Sequence, residues 1–431
     1  MFILYDLIFL LISLLYLPFY FWKGKFHRDF PARLGRLPKD LQIDRPVWVH
    51  AVSVGEMMAV KGLLEELKKR FPEKKMVVST VTATGNQVAD DAAGKGDFVT
   101  YLPLDFSFIV KKVINRIRPA VFIIVETELW PNLIRRLYQN RIPIIVVNGR
   151  ISDRSFKGYF LVKPLLRPLL NKITLFCAQT ETDRQRLSLL GVTPEKIIVT
   201  GNMKFDLKYR QPLEQKHADF KLRLSKEGRL FVAASTHPGE EEIIFKIYRE
   251  LLPEFGGLKL LVAPRHPERS AGVMALAKNL GFACLRISML GKIPLSTQKQ
   301  AGVFILDTIG ELNDFYALAE VVFVGGSLVQ KGGHNILEPA SLSKPVLFGP
   351  QMYNFRDIAE LFVGRGAALM VKDAHDLKQR LRQLLASRQE REALGKAARR
   401  LLEENRGATQ KNAQIIADQM SEVSIQISED R

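Results

Sequence analysis

VWVHAVSVGEMMAVKGLLEELKKRFPEKKMVVST, residues 47–80, sets the fold class. Its two ends, VWVHAV (47–52) and MVVST (76–80), are apolar without alternation, the pattern of strands covered on both faces in a parallel sheet. Between them GEMMAVKGLLEELKKRF (55–71) reads as an amphipathic helix. Outward from there the alternation persists through FVTYLPL (98–104), VFIIVE (121–126), IPIIVVN (142–148), ITLFCAQ (173–179) and KIIVTGN (196–202). It pauses over a polar stretch, 206–228, that contains no strand. It restarts with LFVAAST (230–236), LKLLVAP (258–264), FACLRIS (282–288), VFILDT (303–308), VVFVGGS (321–327) and KPVLFGP (344–350). The expectation is α/β, two doubly wound Rossmann-like domains over 33–205 and 229–395, joined by the linker 206–228. Residues 396–420 read as a C-terminal helix available to return to the first domain.

The 431 residues carry 63 Lys and Arg against 45 Asp and Glu, a formal charge of +18 that calls for an anionic partner. Nucleic acid, acidic lipid and a phosphorylated substrate are the three classes. There is no zinc-finger spacing, aromatic RNA-binding motif or basic arm, so no nucleic acid is expected. Cys177 and Cys284, in separate halves, make no disulfide framework. Residues 1–22, MFILYDLIFLLISLLYLPFYFW, are interrupted only by Asp6 and Pro18, about enough to cross a hydrocarbon core of roughly 30 Å. Lys23, Lys25 and Arg28 follow, favouring a single N-terminal membrane anchor with the rest of the chain cytoplasmic, whether the anchor spans or lies in the interface.

Open α/β sheets bind ligands beyond the carboxyl ends of their strands, and the distinctive residues fall there, which makes the cleft between the halves the expected site. Ser53-Val54-Gly55-Glu56 follows the first strand. Glu56 then stands at a helix N-terminus, either as a general base for a hydroxyl or as a complement to the helix dipole. Glu126 and Glu128 end a buried strand ahead of Trp130 and Pro131, where carboxylates are costly unless paired or open to a cleft; an acid-rich helix start is the plain alternative, preferred for Glu128. Lys204 brings an ammonium near the cleft or is a solvated surface cation.

In the second half, Ser235-Thr236-His237-Pro238 is a strand, a turn and a helix start whose N–H groups suit a phosphate or carboxylate. Arg265, His266 and Arg269 cluster at the next strand exit, for a nucleotide monophosphate or as solvated charge. VVFVGGSLVQKGGHNILEPA (321–340) holds two diglycines followed by His334-Asn335 and Glu338-Pro339, a composition that packing explains poorly, since backbone approaching a ligand needs glycine. Glu338 is expected to accept from ribose hydroxyls, and Ile309-Gly310-Glu311 to form a second turn near base or ribose. No G-x-x-x-x-G-K-[ST] loop, metal-ligand spacing or Asp-x-Asp is present, which points to no metal or other cofactor and to a monophosphate-activated sugar donor.

HAVSVGE (50–56), ETELWPNL (126–133), NGRISDRS (148–155), GNMKFD (201–206), STHPGEE (235–241), PRHPER (264–269), DTIGEL (307–312), the GGSL, GGHN and LEP segments of 325–339, and FGP with NF of 348–355 resemble the Kdo (3-deoxy-D-manno-octulosonic acid) transferases of lipopolysaccharide assembly in the Gram-negative envelope. The likeness runs from about residue 33 to about residue 360. It implies a GT-B fold, two such domains facing across a cleft, and transfer of Kdo from CMP-Kdo to a lipid A precursor of the lipid IVA type at the cytoplasmic face of the inner membrane. By motif, Glu56 is the base, while Glu126 and Lys204 stabilise the transition state. CMP lies against Arg265 and His266, against Ile309, Gly310 and Glu311, and against Asn335, Ile336, Leu337 and Glu338. The residue reading adds Ser235, Thr236, His237, Gly325, Gly326, Ser327 and Gly333 around the donor. Ile336 and Ile309 depart from many relatives, which have Pro and Met there.

Both lines agree on one inverting displacement, with the leaving phosphate held by Arg265 and by N–H groups after Gly325 or Gly332. The basic surplus suits anionic membrane lipids and a phosphorylated acceptor. Acyl chains are candidates to meet 33–62 or 151–170, with Phe156, Tyr159, Phe160 and Arg167 named, although ordinary helix packing is preferred for most of these. A GT-B transferase or epimerase using another nucleotide sugar, and a non-catalytic membrane-bound nucleotide-sugar binder, are the alternatives.

Overall fold

The computed structural model describes residues 2–22, 30–209, 229–292 and 300–429. Lys23, Lys25 and Arg28 and most of the expected linker lie outside the described residues. The chain divides into two compact units, Met1–Lys208 with Asn405–Arg431, and Tyr209–Glu404.

The first unit is built on a seven-stranded parallel sheet. Its strands are β1 (Val47–His50), β2 (Met76–Thr80), β3 (Phe98–Tyr101), β4 (Val121–Val125), β5 (Ile144–Gly149), β6 (Leu175–Ala178) and β7 (Ile197–Val199), in the order β3-β2-β1-β4-β5-β6-β7. Alternate residues feed opposite faces, which is why the strands read as unbroken apolar runs. Phe122 and Ile124 enter one core with Trp48 and Phe176, whereas Val121, Ile123 and Val125 enter another with Val49 and Met57.

The C-terminal helix Ala408–Glu429 belongs to this unit. Ala413, Ile416 and Met420 fill the core beside the helix Val54–Arg70, and the Asp206 carboxylate accepts from the N–H groups of Gly407 and Thr409 at 2.6 Å each. The division falls between Glu404 and Asn405, later than residue 395, because the helix Arg388–Glu404 buries Ala398, Leu401 and Leu402 in the second unit.

Residues Phe2–Trp22 are helical. Asp6, which breaks the apolar run in sequence, docks the helix on the first unit by accepting from Ser107 N at 3.2 Å and Asn132 Nδ2 at 2.7 Å. Tyr5 donates its hydroxyl to Asp105 at 3.0 Å, and Phe9 meets Phe106 edge-on. Leu7, Leu10, Leu11, Leu14 and Leu15 stay exposed. Among the described residues no helix is long and apolar enough to cross a membrane, so a spanning anchor is not supported.

The second unit has seven parallel strands, β8 (Leu230–Thr236), β9 (Lys259–Pro264), β10 (Cys284–Arg286), β11 (Val303–Ile305), β12 (Val321–Val324), β13 (Val346–Phe348) and β14 (Leu369–Met370), ordered β10-β11-β9-β8-β12-β13-β14. β14 has no counterpart in the sequence reading, since two residues carry no period. The strand order reverses beside β1 and β4 in the first sheet and beside β8 and β12 in the second, where β10 and β11 are also exchanged at the far edge. That reversal is where such sheets hold ligands.

Candidate functional site

The first unit gathers its carboxylates at the reversal point. Ser53 caps the helix Val54–Arg70 and donates its hydroxyl to Glu56 Oε1 at 2.9 Å, while Val52 N donates to Glu56 Oε2 at 2.7 Å. With Glu56 N donating back to Ser53 Oγ at 3.4 Å this is a capping-box arrangement in which the carboxylate takes Val52 N in place of the N-cap amide, so the structural role weighed for Glu56 is real. It is not the whole role. Glu56 also lines a cavity of about 210 Å³ with Glu126, Thr127, Glu128, Arg150 and Tyr159. A solvated capping glutamate stays acidic; here burial pushes the Glu56 carboxyl up to about 7, with Glu126 and Glu128 adding to the rise against the hydrogen bonds from Val52 and Ser53. Such a group is half deprotonated near neutrality, as a general base should be.

Glu126 ends β4 in a left-handed conformation, φ 60°, which a non-glycine residue adopts at a cost of about 1–3 kcal/mol. The turn points its carboxylate at Lys204 Nζ, 3.3 Å away. Lys204 is positioned in turn. Asn148, itself left-handed at φ 54°, accepts from Met203 N at 3.0 Å, and Asn202 accepts from Lys204 N at 2.9 Å while donating to Gln179. Glu128 is raised by burial and by Glu126. It faces the same cavity rather than serving only a helix start.

In the second unit Ser235, Arg265, Ile309, Gly310, Asn335 and Glu338 line a cavity of about 430 Å³, together with His334, Tyr316 and Phe355. Ile309 is 87% exposed, an apolar plate at the rim. Asn335 accepts from Leu337 N at 3.0 Å and donates to Glu338 at 3.4 Å.

Several of the other expected donor contacts do not line this cavity. Ile336 and Leu337 are wholly buried, because the first turn of the short helix Leu337–Ser341 packs into the unit's core. Thr236 is buried against Glu241, and Glu311 turns inward to accept the Thr308 hydroxyl. His266 is exposed beside Glu268.

The glycine loop differs most from expectation. Glu240, fully buried, accepts from the N–H groups of His237 (2.9 Å), Gly326 (2.7 Å), Ser327 (3.1 Å) and Leu328 (3.0 Å). The amides after Gly325, read as a phosphate cradle, are therefore already filled by a carboxylate of the same unit. Packing explains the glycines. A Cβ on Gly325 would lie 2.8 Å from Ser235 O and Thr236 Cα, and Cβ atoms on Gly332 and Gly333 would collide with Asn354 and Met352. Ser327 is spent internally, donating to Val324 O and accepting from Gly349 N.

Residues 28–207 match the family model described as 3-deoxy-D-manno-octulosonic-acid transferase (kdotransferase), and residues 291–401 match glycosyl transferases group 1. The 3-deoxy-D-manno-octulosonic acid transferase of Haemophilus influenzae is 38% identical over 366 residues, covering 85% of each chain. The protein of that description from Chlamydophila psittaci is 32% identical over 87% of each. The chain belongs to the 3-deoxy-D-manno-octulosonic acid (Kdo) transferase family. It is a glycosyltransferase. In fold it is similar to a putative UDP-N-acetylglucosamine 2-epimerase from Listeria monocytogenes, with a TM-score of 0.59 at 15% identity over 88% of this chain and 97% of that one.

Two pairings in this Kdo transferase family member escaped the sequence reading, and one surface was weighed there with ordinary packing preferred. Glu240 sits in E-E-E (240–242), where spacing alone does not say that Glu240 and Glu241 turn inward or which of them meets the glycine loop. His334 pairs with His237, 97 residues away. Phe160, Leu161, Val162 and Leu165 are exposed, Leu161 by 84%, and the helix Asp153–Leu161 buries no residue. Ordinary packing holds for Phe156 and Tyr159, which rest on the core, and fails for the residues that follow. Among the described residues no group of three or more His, Cys, Asp or Glu side chains is placed to hold a metal ion.

Proposed function

We propose that the chain transfers Kdo from CMP-Kdo to a lipid A precursor at the inner membrane's cytoplasmic face, with inversion and without a metal. The observation that carries this reading is Glu56: a carboxyl held near neutrality in a cavity of a Kdo transferase family member, beside the Glu126–Lys204 pair. The acceptor hydroxyl gives its proton to Glu56 as its oxygen bonds to the anomeric carbon. The bond from that carbon to the phosphate oxygen breaks, and CMP leaves with the electron pair from the opposite side. Lys204 offsets charge on the sugar, which keeps its own carboxylate.

For the nucleotide, a cavity of about 430 Å³ suits a ligand of that size. Ile309 offers a face for the base, the Asn335 amide N–H is a donor and the Glu338 carboxylate an acceptor for ribose, and Arg265 meets the phosphate. For the acceptor, exposed Phe160, Leu161 and Leu165 follow directly on the cavity residues Ser155 and Tyr159 and suit acyl chains. The N-terminal helix, tied down by Asp6 with its leucines outward, suits a helix lying in the membrane interface. The net charge of +18 favours the anionic surface that such a helix would meet.

Mass spectrometry of lipids formed from CMP-Kdo and a tetraacylated, bisphosphorylated disaccharide tests the reading. A product heavier by one or more Kdo groups is expected. Thermal protection by UDP with none by CMP would move the chain to the diphosphate-sugar alternative.

A further inference from the structure

His237 and His334 meet edge to edge in the second unit. Their Nε2 atoms are 2.9 Å apart, the ring planes differ by 6°, and the centroids lie 5.2 Å apart. Two imidazoles at this distance share one proton along the Nε2–Nε2 line, one donating and the other accepting. The surroundings hold them there. A Cβ on Gly326 would lie 3.0 Å from ring atoms of His334 and 3.3 Å from His237, so the loop passes directly beneath both rings. The Glu240 carboxylate pins His237 N and Gly326 N together, and Gly333 N, next to His334, donates to Gly326 O at 2.8 Å.

The groups facing this pair are the cations Arg265, Arg269 and Lys331, with the His266 imidazole beside them. The carboxylates nearby are engaged, Glu240 by four amides and Glu241 by Arg269 and Thr236, while Glu338 lines the cavity. Burial and then Arg265 hold the His334 imidazole down to about 4; burial and then His266 hold His237 below its ordinary value. A wall of positive charge thus surrounds an uncharged, preformed hydrogen-bonding pair, and His334 opens onto the cavity.

We propose that His237 and His334 form a dyad that takes up one proton when an anionic phosphate enters this cavity and then holds the departing phosphate through an imidazole N–H. The anion cancels the repulsion that keeps the pair unprotonated, so binding and protonation help one another. This rests on the Kdo-transfer reading and deepens it. In transfer the phosphate changes from a monoanionic diester to a dianionic monoester as the bond to the anomeric carbon breaks. The acceptor's proton goes to Glu56, and the dyad's proton either stays on the pair or passes to the phosphate oxygen. No other reactant is required.

The test is isothermal calorimetry on the full chain in buffers of different ionisation enthalpy. The probes are sodium sulfate and, separately, the methyl phosphodiester of CMP, neither of which titrates between about pH 5.5 and 8. Expected are net proton uptake for both probes and an affinity that rises by up to about tenfold per pH unit as pH falls. His334→Asn and His237→Asn should each abolish the uptake and flatten the pH dependence. Uptake that persists in both variants, or is absent from the wild type, overturns the dyad. Failure of both probes to bind overturns the cavity as an anion site. Binding of sulfate with dyad-dependent uptake, but none of the cytidylate ester, keeps the dyad and removes the cytidylate donor. A melting scan of each variant, and His334→Gln as a second substitution, separate misfolding from loss of the proton.

Discussion

Glu56→Gln should stabilise the first unit above neutral pH while ending turnover. In the folded chain the Glu56 carboxyl rises from an ordinary 4.5 to about 7, chiefly through burial. Between these values the native state binds more protons than the unfolded chain, so stability falls as pH rises through that window and the whole cost is present above it. The gap corresponds to about 3 kcal/mol, and solvent screening of a half-buried group leaves about half of that. The amide oxygen keeps one of the two bonds from Val52 N and Ser53 Oγ and forfeits the other, a loss of about 0.5–1 kcal/mol. A net gain of about 1 kcal/mol at pH 8 should raise the melting temperature of a unit this size by about 2–4 °C. At pH 5 wild-type Glu56 is itself protonated, so the gain disappears and the variant is equal or slightly weaker. Scanning calorimetry at both pH values, beside a transfer assay showing a loss on the order of 10²-fold or more, makes the comparison. A variant destabilised more at pH 8 than at pH 5 would refute the reasoning. The ionised carboxylate would then be a cap that the fold favours, and no base near neutrality would exist.

Lys204→Met should lower kcat on the order of 10²-fold with cytidylate protection unchanged, read by single-turnover transfer and thermal shift. Glu240→Gln should destabilise the second unit by about 3 kcal/mol in urea unfolding, since a buried acceptor of four N–H groups gains an N–H of its own. Asp6→Ala should free the N-terminal helix from Asn132: vesicle flotation should persist, while transfer to acceptor in vesicles falls and transfer in detergent does not. Leu161→Ser with Leu165→Ser should raise KM for an acylated acceptor several-fold and leave KM for a deacylated one unchanged, as removing exposed apolar contact predicts.

The fold was legible because its strands are covered on both faces. VFIIV at 121–125 has no polar residue to give a period, and that lack is itself the mark of a parallel sheet. The ends of those strands were legible for the same reason: Glu126 and Arg265 break apolar runs just where the sheet stops, and Glu56 opens the helix that follows β1. The diglycines misled. In sequence a glycine that clears a phosphate looks like one that clears Met352 or a histidine ring, and only the neighbours tell them apart. The apolar face around Leu161 misled in the opposite way, since its pattern is the same whether the face meets a core or a lipid.

The two reversal points share a topology and carry opposite chemistry. In the first, Glu56, Glu126 and Glu128 crowd one cavity, and their mutual repulsion helps to keep Glu56 basic. In the second, Glu240 is consumed by amides and Glu241 by Arg269, which leaves Arg265 and Lys331 to set the charge around the histidine pair. Exchanging the environments would disable both. A guanidinium within about 4–6 Å of a glutamate lowers its pKa by about 1–3 units and would remove the base at neutral pH. A second free carboxylate beside His334 would protonate the pair before any phosphate arrived. Left-handed backbone at Glu126 and Ser235, with φ 60° and 53°, bends the chain at the end of β4 and within β8 respectively, and neither residue is a glycine. Each turn costs stability and gains a side chain aimed into a cavity, Glu126 in one unit and Ser235 in the other. An anionic donor needs cations that are not neutralised beforehand, and a hydroxyl acceptor needs a base that is not acidified. On the Kdo-transfer reading, a carboxylate-rich cavity in one unit and a histidine pair beside Arg265 and Lys331 in the other meet both requirements.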